Sequence, residues 1–245
     1  MKQRWKLTLE YDGSSYLGWQ KQPEGRTVQQ VLEQALSSLC DEEIVVYGQG
    51  RTDRGVHARG QVAHADLPVR FSGDRLRDAM RGLLPEDLAL IRAEPVRKEF
   101  HARFDASSRC YSYRLIGRRT PLCRRYCWEY TRRFNPEVLH ECASVLKGEH
   151  NFRSFCRVEP GSDANTVCTV LESYWKRDGE FQIYHIRGNR FLRHMVRRLV
   201  GSMVLVGTGR LDRSDFDALL GGKEPNGSKG FSAPARGLFL DAVSY

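Results

Sequence analysis

The 245-residue sequence contains no apolar run that approaches the about 20 residues a membrane span requires. Its first residues, MKQRWKLTLEYDG, lack the apolar core and the cleavage site of a secretory signal. We therefore expect a cytoplasmic protein that neither spans a membrane nor is exported.

Acidic residues are also few relative to basic ones. The sequence has 30 Asp and Glu against 39 Lys and Arg, which leaves a net charge of +9 at pH 7. That surplus, most of it arginine, favours a polyanionic partner.

Signatures of cofactors, metals and disulfides are missing as well. The seven cysteines are odd in number and irregularly spaced, which is typical of free thiols in a reducing compartment. Cys123 and Cys127 have no second cluster of matching type, and the HxE partner of the zinc deaminases is absent. No GxxxxGK(S/T) pattern occurs, and the GxGxxG that begins at Gly48 ends on Asp53, whose carboxylate would repel a pyrophosphate. We expect no metal and no cofactor.

One charged stretch stands out, GQGRTDRGVHARGQVAH at residues 48–64. It holds three arginines, one aspartate, two histidines and four glycines between short apolar runs. Asp53 lies between Arg51 and Arg54, so their positive field favours the ionised carboxylate and can also attract phosphate. This favours a nucleophile over a proton donor. The alternative is an ordinary turn, in which Asp or Thr bonds its own backbone and the arginines are only solvated.

The apolar pattern predicts two similar α+β halves. Residues 5–11 alternate strictly, and Thr27 with Gln30 forms a capping box ahead of a helical repeat. The predicted strands cover residues 5–11, 44–47, 61–66, 88–96, 109–116, 166–176, 180–187 and 238–243, and the predicted helices cover residues 28–39, 76–83, 136–146 and 191–206. This order predicts two ferredoxin-like (RRM-like) halves, residues 1–104 and 105–245. We expect an extended antiparallel sheet, helices packed on one side and a central basic cleft.

The predicted helix over residues 191–206 combines an apolar face with arginines crowded near one end. A basic helical face is commonly a solvated surface. An arginine directed inward at a carboxylate would instead hold that carboxylate ionised and aimed, and Arg197 is the candidate partner of Asp53. The sequence GRLDR at residues 209–213 echoes GRTDR at residues 50–54, but we interpret Gly207 and Gly209 as helix stops and Asp212 or Ser214 as the next helix cap.

Four stretches together resemble the TruA family of tRNA pseudouridine synthases. They are GRTDRGVHARGQVAH, FHARFDASSRCYSY, FLRHMVRRLVGSMVLVG and ARGLFLDAV, and the resemblance covers nearly the whole chain. It implies an isomerase that converts uridine to pseudouridine at positions 38, 39 and 40 of the tRNA anticodon stem and loop, without a cofactor. It also implies a homodimer, in which one tRNA touches both subunits.

The resemblance carries over residue by residue. Asp53 would be the nucleophile that attacks ribose C1′ or uracil C6, and the sequence leaves both open. Tyr111 would stack on the uracil and help remove the C5 proton, Arg197 would pair with Asp53, and Arg51 would help keep the flipped base out of the stack. The other expected RNA-binding residues are Arg54, His57, Arg59, Arg103, Arg109, Arg190 and Arg193. One departure concerns Cys110 and Ser112, which replace arginines that flank the tyrosine in many members.

Two other functions fit parts of the sequence. In the first, two ferredoxin-like halves form a non-catalytic RNA-binding module, and Asp53 merely orders its loop. In the second, Asp53 serves a phosphate-ester hydrolase. That chemistry would need further carboxylates for a divalent ion, and no neighbouring one occurs before Asp66.

Overall fold

The computed structural model describes residues 1–69, 71–157, 165–223 and 230–245. These residues form ten strands and five α-helices, which confirms the predicted α+β class. In chain order they are β1 (Lys2–Tyr11), α1 (Val28–Cys40), β2 (Tyr47–Gly48), β3 (His57–Pro68), α2 (Gly73–Leu83), β4 (Leu88–Pro95), β5 (Ser108–Ile116), β6 (Trp128–Glu129), α3 (Pro136–Ser144), β7 (Gly148–Asn151), β8 (Val167–Asp178), β9 (Phe181–Gly188), α4 (Met195–Gly207), α5 (Arg213–Leu220) and β10 (Leu238–Ser244).

The chain divides into two compact units. The first comprises Met1–Ser107 with Phe239–Tyr245, and the second comprises Ser108–Leu238. In the first, the strand order is β4-β1-β3-β10, with β2 also paired to β3. Strand β1 is antiparallel to both β3 and β4, whereas β10 runs parallel to β3. In the second, the order is β5-β9-β8-β7, and β6 pairs in parallel with β5.

Local sequence signals account for many of these elements. The alternation in β1 buries Trp5, Leu7, Leu9 and Tyr11 on one face, as a half-buried strand should. Thr27 caps α1 by accepting a hydrogen bond from the Gln30 N–H at 3.4 Å. The predicted hairpin turn at Asp178-Gly179 is confirmed, since it joins β8 to β9.

The predicted strand over residues 44–47 is largely wrong, because only Tyr47 and Gly48 pair as β2. Side chains of α1 take the backbone bonds that a strand partner would otherwise make. The Ile44 N–H donates to Ser37 Oγ at 2.9 Å, and the Val46 N–H donates to Glu33 Oε1 at 3.1 Å. The Ile44 and Val46 side chains are both buried. The apolar pattern therefore correctly indicated burial, but it did not indicate strand pairing.

The predicted start of the helix near residue 191 is also wrong. Helix α4 begins at Met195, and the residue before it, His194, has φ of 65° in the left-handed region. A right-handed helix cannot pass through such a residue, so the preceding turn is separate. Phe191 therefore lies outside the helix, and its ring packs edge-on against Tyr111 with ring centroids 5.2 Å apart.

A carboxylate holds the segment between β1 and α1 in place. Asp87 accepts two hydrogen bonds from Arg26, at 2.6 and 2.7 Å, and one from the Tyr16 hydroxyl at 2.7 Å. The Arg26 guanidinium also lies over the Tyr16 ring, 4.2 Å from its centroid. The Arg26 bonds hold the pKa of Asp87 below its ordinary value, with a further contribution from Tyr16.

Replacing Asp87 by Asn is expected to lower the free energy of unfolding by about 1–2 kcal/mol at pH 7, because charge-assisted bonds are lost. A carboxylate with a lowered folded-state pKa stabilises the fold above its unfolded pKa and loses that effect as the pH falls. The difference between wild type and Asp87→Asn should therefore shrink below about pH 4. Urea unfolding at pH 7 and pH 3 measures it. An equal difference at both pH values would contradict this assignment.

Candidate active site

Asp53 lies at a tight turn in the loop that precedes β3. The Val56 N–H donates to the Asp53 carbonyl at 3.1 Å, and Gly55 has a φ of 76°, which only glycine adopts readily. The Asp53 side chain is partly exposed, and Arg51 and Arg54 are exposed on either side of it. The turn therefore presents a carboxylate between two cations at the surface of the first unit.

The residue before this aspartate is held by contacts from two other segments. Thr52 is buried, and its Oγ1 lies 2.8 Å from the Tyr11 hydroxyl at the end of β1. Its carbonyl accepts a hydrogen bond from the Trp19 N–H at 3.1 Å. Gly18 lies against the same backbone, since a Cβ there would be 2.6 Å from the Thr52 carbonyl oxygen. The loop backbone thus has little freedom immediately before Asp53.

The two arms of the loop are tied together as well. The Gln61 side chain on β3 donates to the Gly50 carbonyl at 3.2 Å, and the Gln49 N–H donates to the Val62 carbonyl at 2.8 Å. Gln49, Gln61 and Val62 are all buried, so these bonds are largely shielded from water. Together with the Thr52 contacts, they make the turn a rigid support for its carboxylate.

His57 lies beneath the turn rather than on its surface. Only 1% of the residue is exposed, its Nδ1 accepts a hydrogen bond from the Gly13 N–H at 3.1 Å, and its ring stacks on Phe239 with centroids 4.8 Å apart. Arg59 contacts the same phenylalanine. Its guanidinium lies 4.7 Å from the centroid of the Phe239 ring and donates a hydrogen bond to Asp241 at 2.8 Å. Strand β10 thus contacts two of the predicted site residues.

Tyr111 belongs to the second unit and lies on β5, where its backbone pairs with Ile186 of β9. Its ring is partly exposed and packs edge-on against Phe191, as described above. Two residues earlier in the sequence, the Arg109 side chain donates to the Asn189 carbonyl at 2.8 Å. The Phe191 contact restrains the tyrosine ring, and part of Tyr111 remains exposed.

Arg197 lies in the first turns of α4, also in the second unit. Its Nε donates to the Ala233 carbonyl at 2.8 Å, and its own carbonyl accepts from the Ala233 N–H at 2.9 Å. The segment that carries Ala233 is pressed close to the helix, since a Cβ at Gly201 would be 1.9 Å from the Phe231 carbonyl oxygen. The arginine stem is therefore held by a neighbouring backbone.

The predicted site residues divide between the two units. Asp53, with Arg51, Arg54, His57, Arg59 and Arg103, belongs to the first, and Tyr111, Arg109, Arg190, Arg193 and Arg197 belong to the second. Arg103 is exposed near the Phe104 ring, Arg190 donates to the Asn165 carbonyl at 2.9 Å, and Arg193 is exposed. The meeting of Asp53 with Tyr111 and Arg197 stays a prediction.

Comparison with known proteins decides the family. A family model described as tRNA pseudouridine synthase matches residues 8–105 and 142–245. The chain belongs to the tRNA pseudouridine synthase family. A protein of Xanthobacter autotrophicus named tRNA pseudouridine synthase A is 42% identical over 245 residues, covering 99% of each chain. Proteins of the same name from Parvibaculum lavamentivorans and Beijerinckia indica are 39% and 41% identical, covering 99% of this chain and 99% and 94% of their own.

Family membership makes the chain an isomerase that acts in tRNA modification. In the part of the synthase that the structure describes, no three His, Cys, Asp or Glu side chains are grouped to hold a metal ion. Within the same residues, no helix is both long and apolar enough to cross a membrane.

Several residues that build this enzyme's candidate site were missed by sequence reasoning. Gly18, Trp19 and Gln61 support the loop of Asp53, and Phe191 supports Tyr111. Their contacts join segments far apart in sequence, which short patterns do not report. A weak signal existed for Tyr11, because the alternation of β1 puts it on the buried face at the strand end, where its hydroxyl needs a partner.

Replacing Gly18 by Ala is expected to lower the free energy of unfolding by about 2 kcal/mol or more. The residue has a φ of 105°, and its new Cβ would press on the Thr52 carbonyl. Gly50→Ala is the matched control in the same region, since a Cβ there meets nothing within 4 Å. Thermal unfolding of both variants tests the contact. Equal melting temperatures for the two variants would show that Gly18 does not constrain the loop.

Proposed function

We propose that this synthase isomerises uridine to pseudouridine at positions 38, 39 and 40 of the tRNA anticodon stem and loop, with Asp53 as the nucleophile. The observation that carries this proposal is the environment of Asp53, which lies in a region that the synthase family model matches. Asp53 is a partly exposed carboxylate flanked by two arginines. Trp19 and Gln61 bond the backbone of its loop, and Tyr11 bonds the Thr52 hydroxyl. A carboxylate fixed in this way is preorganised for attack on a nucleotide brought to it.

The proposed chemistry exchanges one glycosidic bond for another within a single nucleotide. The Asp53 carboxylate adds to ribose C1′ or to uracil C6, the C1′–N1 bond breaks, and the base turns. A new C1′–C5 bond then forms, the carboxylate leaves, C5 gives up its proton, and N1 takes up a proton. Uridine and pseudouridine are isomers, so no electrons or atoms are gained overall.

Residues of the second unit would serve the base and the carboxylate. Tyr111 would stack on the uracil and help remove the C5 proton, because its ring is partly exposed and restrained by an edge-on contact with Phe191. Arg197, whose stem is held by Ala233, would pair with Asp53 and keep it ionised. Arg51 would help hold the flipped base outside the stack.

Arginines that are exposed, or partly exposed in the case of Arg109, would bind the RNA backbone. Arg54, Arg59, Arg103, Arg109, Arg190 and Arg193 belong to this set. His57 was expected to join them, but it is 1% exposed and would act by supporting the loop rather than by touching the RNA. We further propose that the enzyme acts as a homodimer in the cytoplasm, so that one tRNA contacts both subunits. Size measurement in solution, with and without tRNA, tests the oligomeric state.

Replacing Asp53 by Asn should lower turnover by about 10³-fold or more, because it removes the nucleophile. The fold and the affinity for tRNA should change little, since the loop is held through its backbone. Tritium release from tRNA that carries 5-tritiated uridine measures turnover, because C5 gives up its hydrogen only on becoming the glycosidic carbon. Labels placed singly at positions 38, 39 and 40 identify the target.

Asp212→Asn is the matched control for that experiment. Asp212 occupies the echoed GRLDR motif, is exposed, and makes no side-chain cap bond to α5. It should retain wild-type release. Full activity of Asp53→Asn would mean another nucleophile, whereas bound tRNA without release by the wild type would favour a non-catalytic RNA-binding protein.

Replacing Arg197 by Met should reduce the rate by about 10²-fold or more, since the proposed partner of Asp53 and a bond to Ala233 are both lost. Arg210→Met provides a control, because Arg210 is exposed just beyond α4. Single-turnover tritium release separates a slower chemical step from weaker binding. Unchanged rates in Arg197→Met would remove Arg197 from the catalytic set.

A further inference from the structure

Residues 117–133, GRRTPLCRRYCWEYTRR, contain six arginines and a single acidic residue, Glu129. We name this stretch the arginine segment. None of its arginines belongs to the candidate site described above, and it falls in the interval between the two matched ranges of the family model. Its charge density is far above that of the chain as a whole, so it needs its own explanation.

The arginine segment is folded rather than loosely attached. It leaves β5 and returns to pair with it, since Trp128 of β6 lies beside Leu115 and the Tyr130 N–H donates to the Ile116 carbonyl at 2.8 Å. Between these points, the Thr120 N–H donates to Glu129 Oε1 at 2.6 Å, which closes the segment across its base. Binding through this surface would therefore carry little ordering cost.

The tip of the arginine segment projects into solvent. Leu122 at this tip is 93% exposed, and the exposed arginines along the whole segment are Arg118, Arg119, Arg124, Arg125, Arg132 and Arg133. Such exposure suits contact with a large partner rather than with a small molecule in a cavity. The segment's one tryptophan, Trp128, is buried and takes no part in this surface.

Most of the positive charge is not neutralised within the protein. Arg118 is paired with Glu180, and Glu129 accepts the Thr120 bond and lies 3.9 Å from Arg236. Among the described residues, no carboxylate pairs with Arg119, Arg124, Arg132 or Arg133. Six arginines within one short segment concentrate positive charge, and a polyanion would relieve the resulting repulsion.

We propose that the arginine segment binds the phosphate backbone of tRNA and supplies affinity rather than chemistry. Guanidinium groups match phosphate oxygens with two parallel hydrogen bonds, which ammonium groups cannot do. Binding of this kind is independent of sequence and strongly dependent on salt, because each phosphate contact releases counterions. The proposal rests on the proposed function, since it names a second surface for the same substrate.

The test replaces Arg119, Arg124, Arg132 and Arg133 together by Gln and follows binding of labelled full-length tRNA by fluorescence anisotropy across salt concentrations. The slope of log K against log salt should become shallower by about 3 for four lost phosphate contacts. The Kd at about 0.1 M salt should rise at least about 10-fold. The turnover rate at saturating tRNA should stay at the wild-type value, because no reacting group is touched.

Two control variants separate this surface from overall charge and from damage to the fold. The first control replaces Arg75, Arg77, Arg81 and Arg92 by Gln, which removes the same number of positive charges from exposed positions of the first unit. The slope of log K against log salt should stay at its wild-type value. A variant with Lys at the four positions of the arginine segment should recover most of the slope but not all of the affinity. Melting temperatures of all three should match the wild type.

Equal slopes in the segment variant and the wild type would overturn the inference, and so would an equal loss in both Gln variants. Failure of the proposed function is visible separately, as a wild type that binds tRNA but releases no tritium. A wild type that is active, combined with an unchanged segment variant, rejects the arginine segment alone.

Discussion

The bond from the Trp19 N–H to the Thr52 carbonyl, with the Tyr11 hydroxyl beside Thr52 Oγ1, is the constraint on which the candidate site depends. It joins the segment after β1 to the loop before β3, immediately before Asp53. Glycine at position 18 lets the two backbones approach closely enough to form it. A carboxylate on a flexible loop would have to be ordered in every catalytic cycle, whereas here folding has already ordered it.

The same arrangement recurs in the second unit. Arg197 is a long side chain with considerable rotamer freedom, yet its Nε and its carbonyl both bond to Ala233. Tyr111 is held edge-on by Phe191, which is available only because His194 delays the start of α4. In both units, contacts from distant parts of the chain restrict the motion of a residue that has a proposed chemical role, or of the residue next to it.

Positive charge is divided between two kinds of surface. Arginines near the candidate site are partly engaged by the protein, as Arg59 is with Asp241 and Arg109 with the Asn189 carbonyl. In the arginine segment, Arg118 pairs with Glu180 and Arg124 bonds the Pro121 carbonyl, but four of the six guanidinium groups have no carboxylate partner among the described residues. This contrast is why we attribute positioning to the first group and general affinity for RNA to the second.

By itself, the sequence determined the α+β class, most helices and strands, and the stretch that holds Asp53, because period, capping residues and turn residues act over a few positions. It misplaced residues 44–46 and 191–194, where side chains of α1 and the left-handed His194 overrode the local apolar pattern. Only the tertiary structure decided that Trp19 and Tyr11 hold Thr52, that Ala233 holds Arg197, and that β10 runs beside β3 under His57. Those contacts join residues that are distant in the chain. Almost every residue carries the same backbone donor and acceptor, so the sequence does not indicate which distant groups will pair.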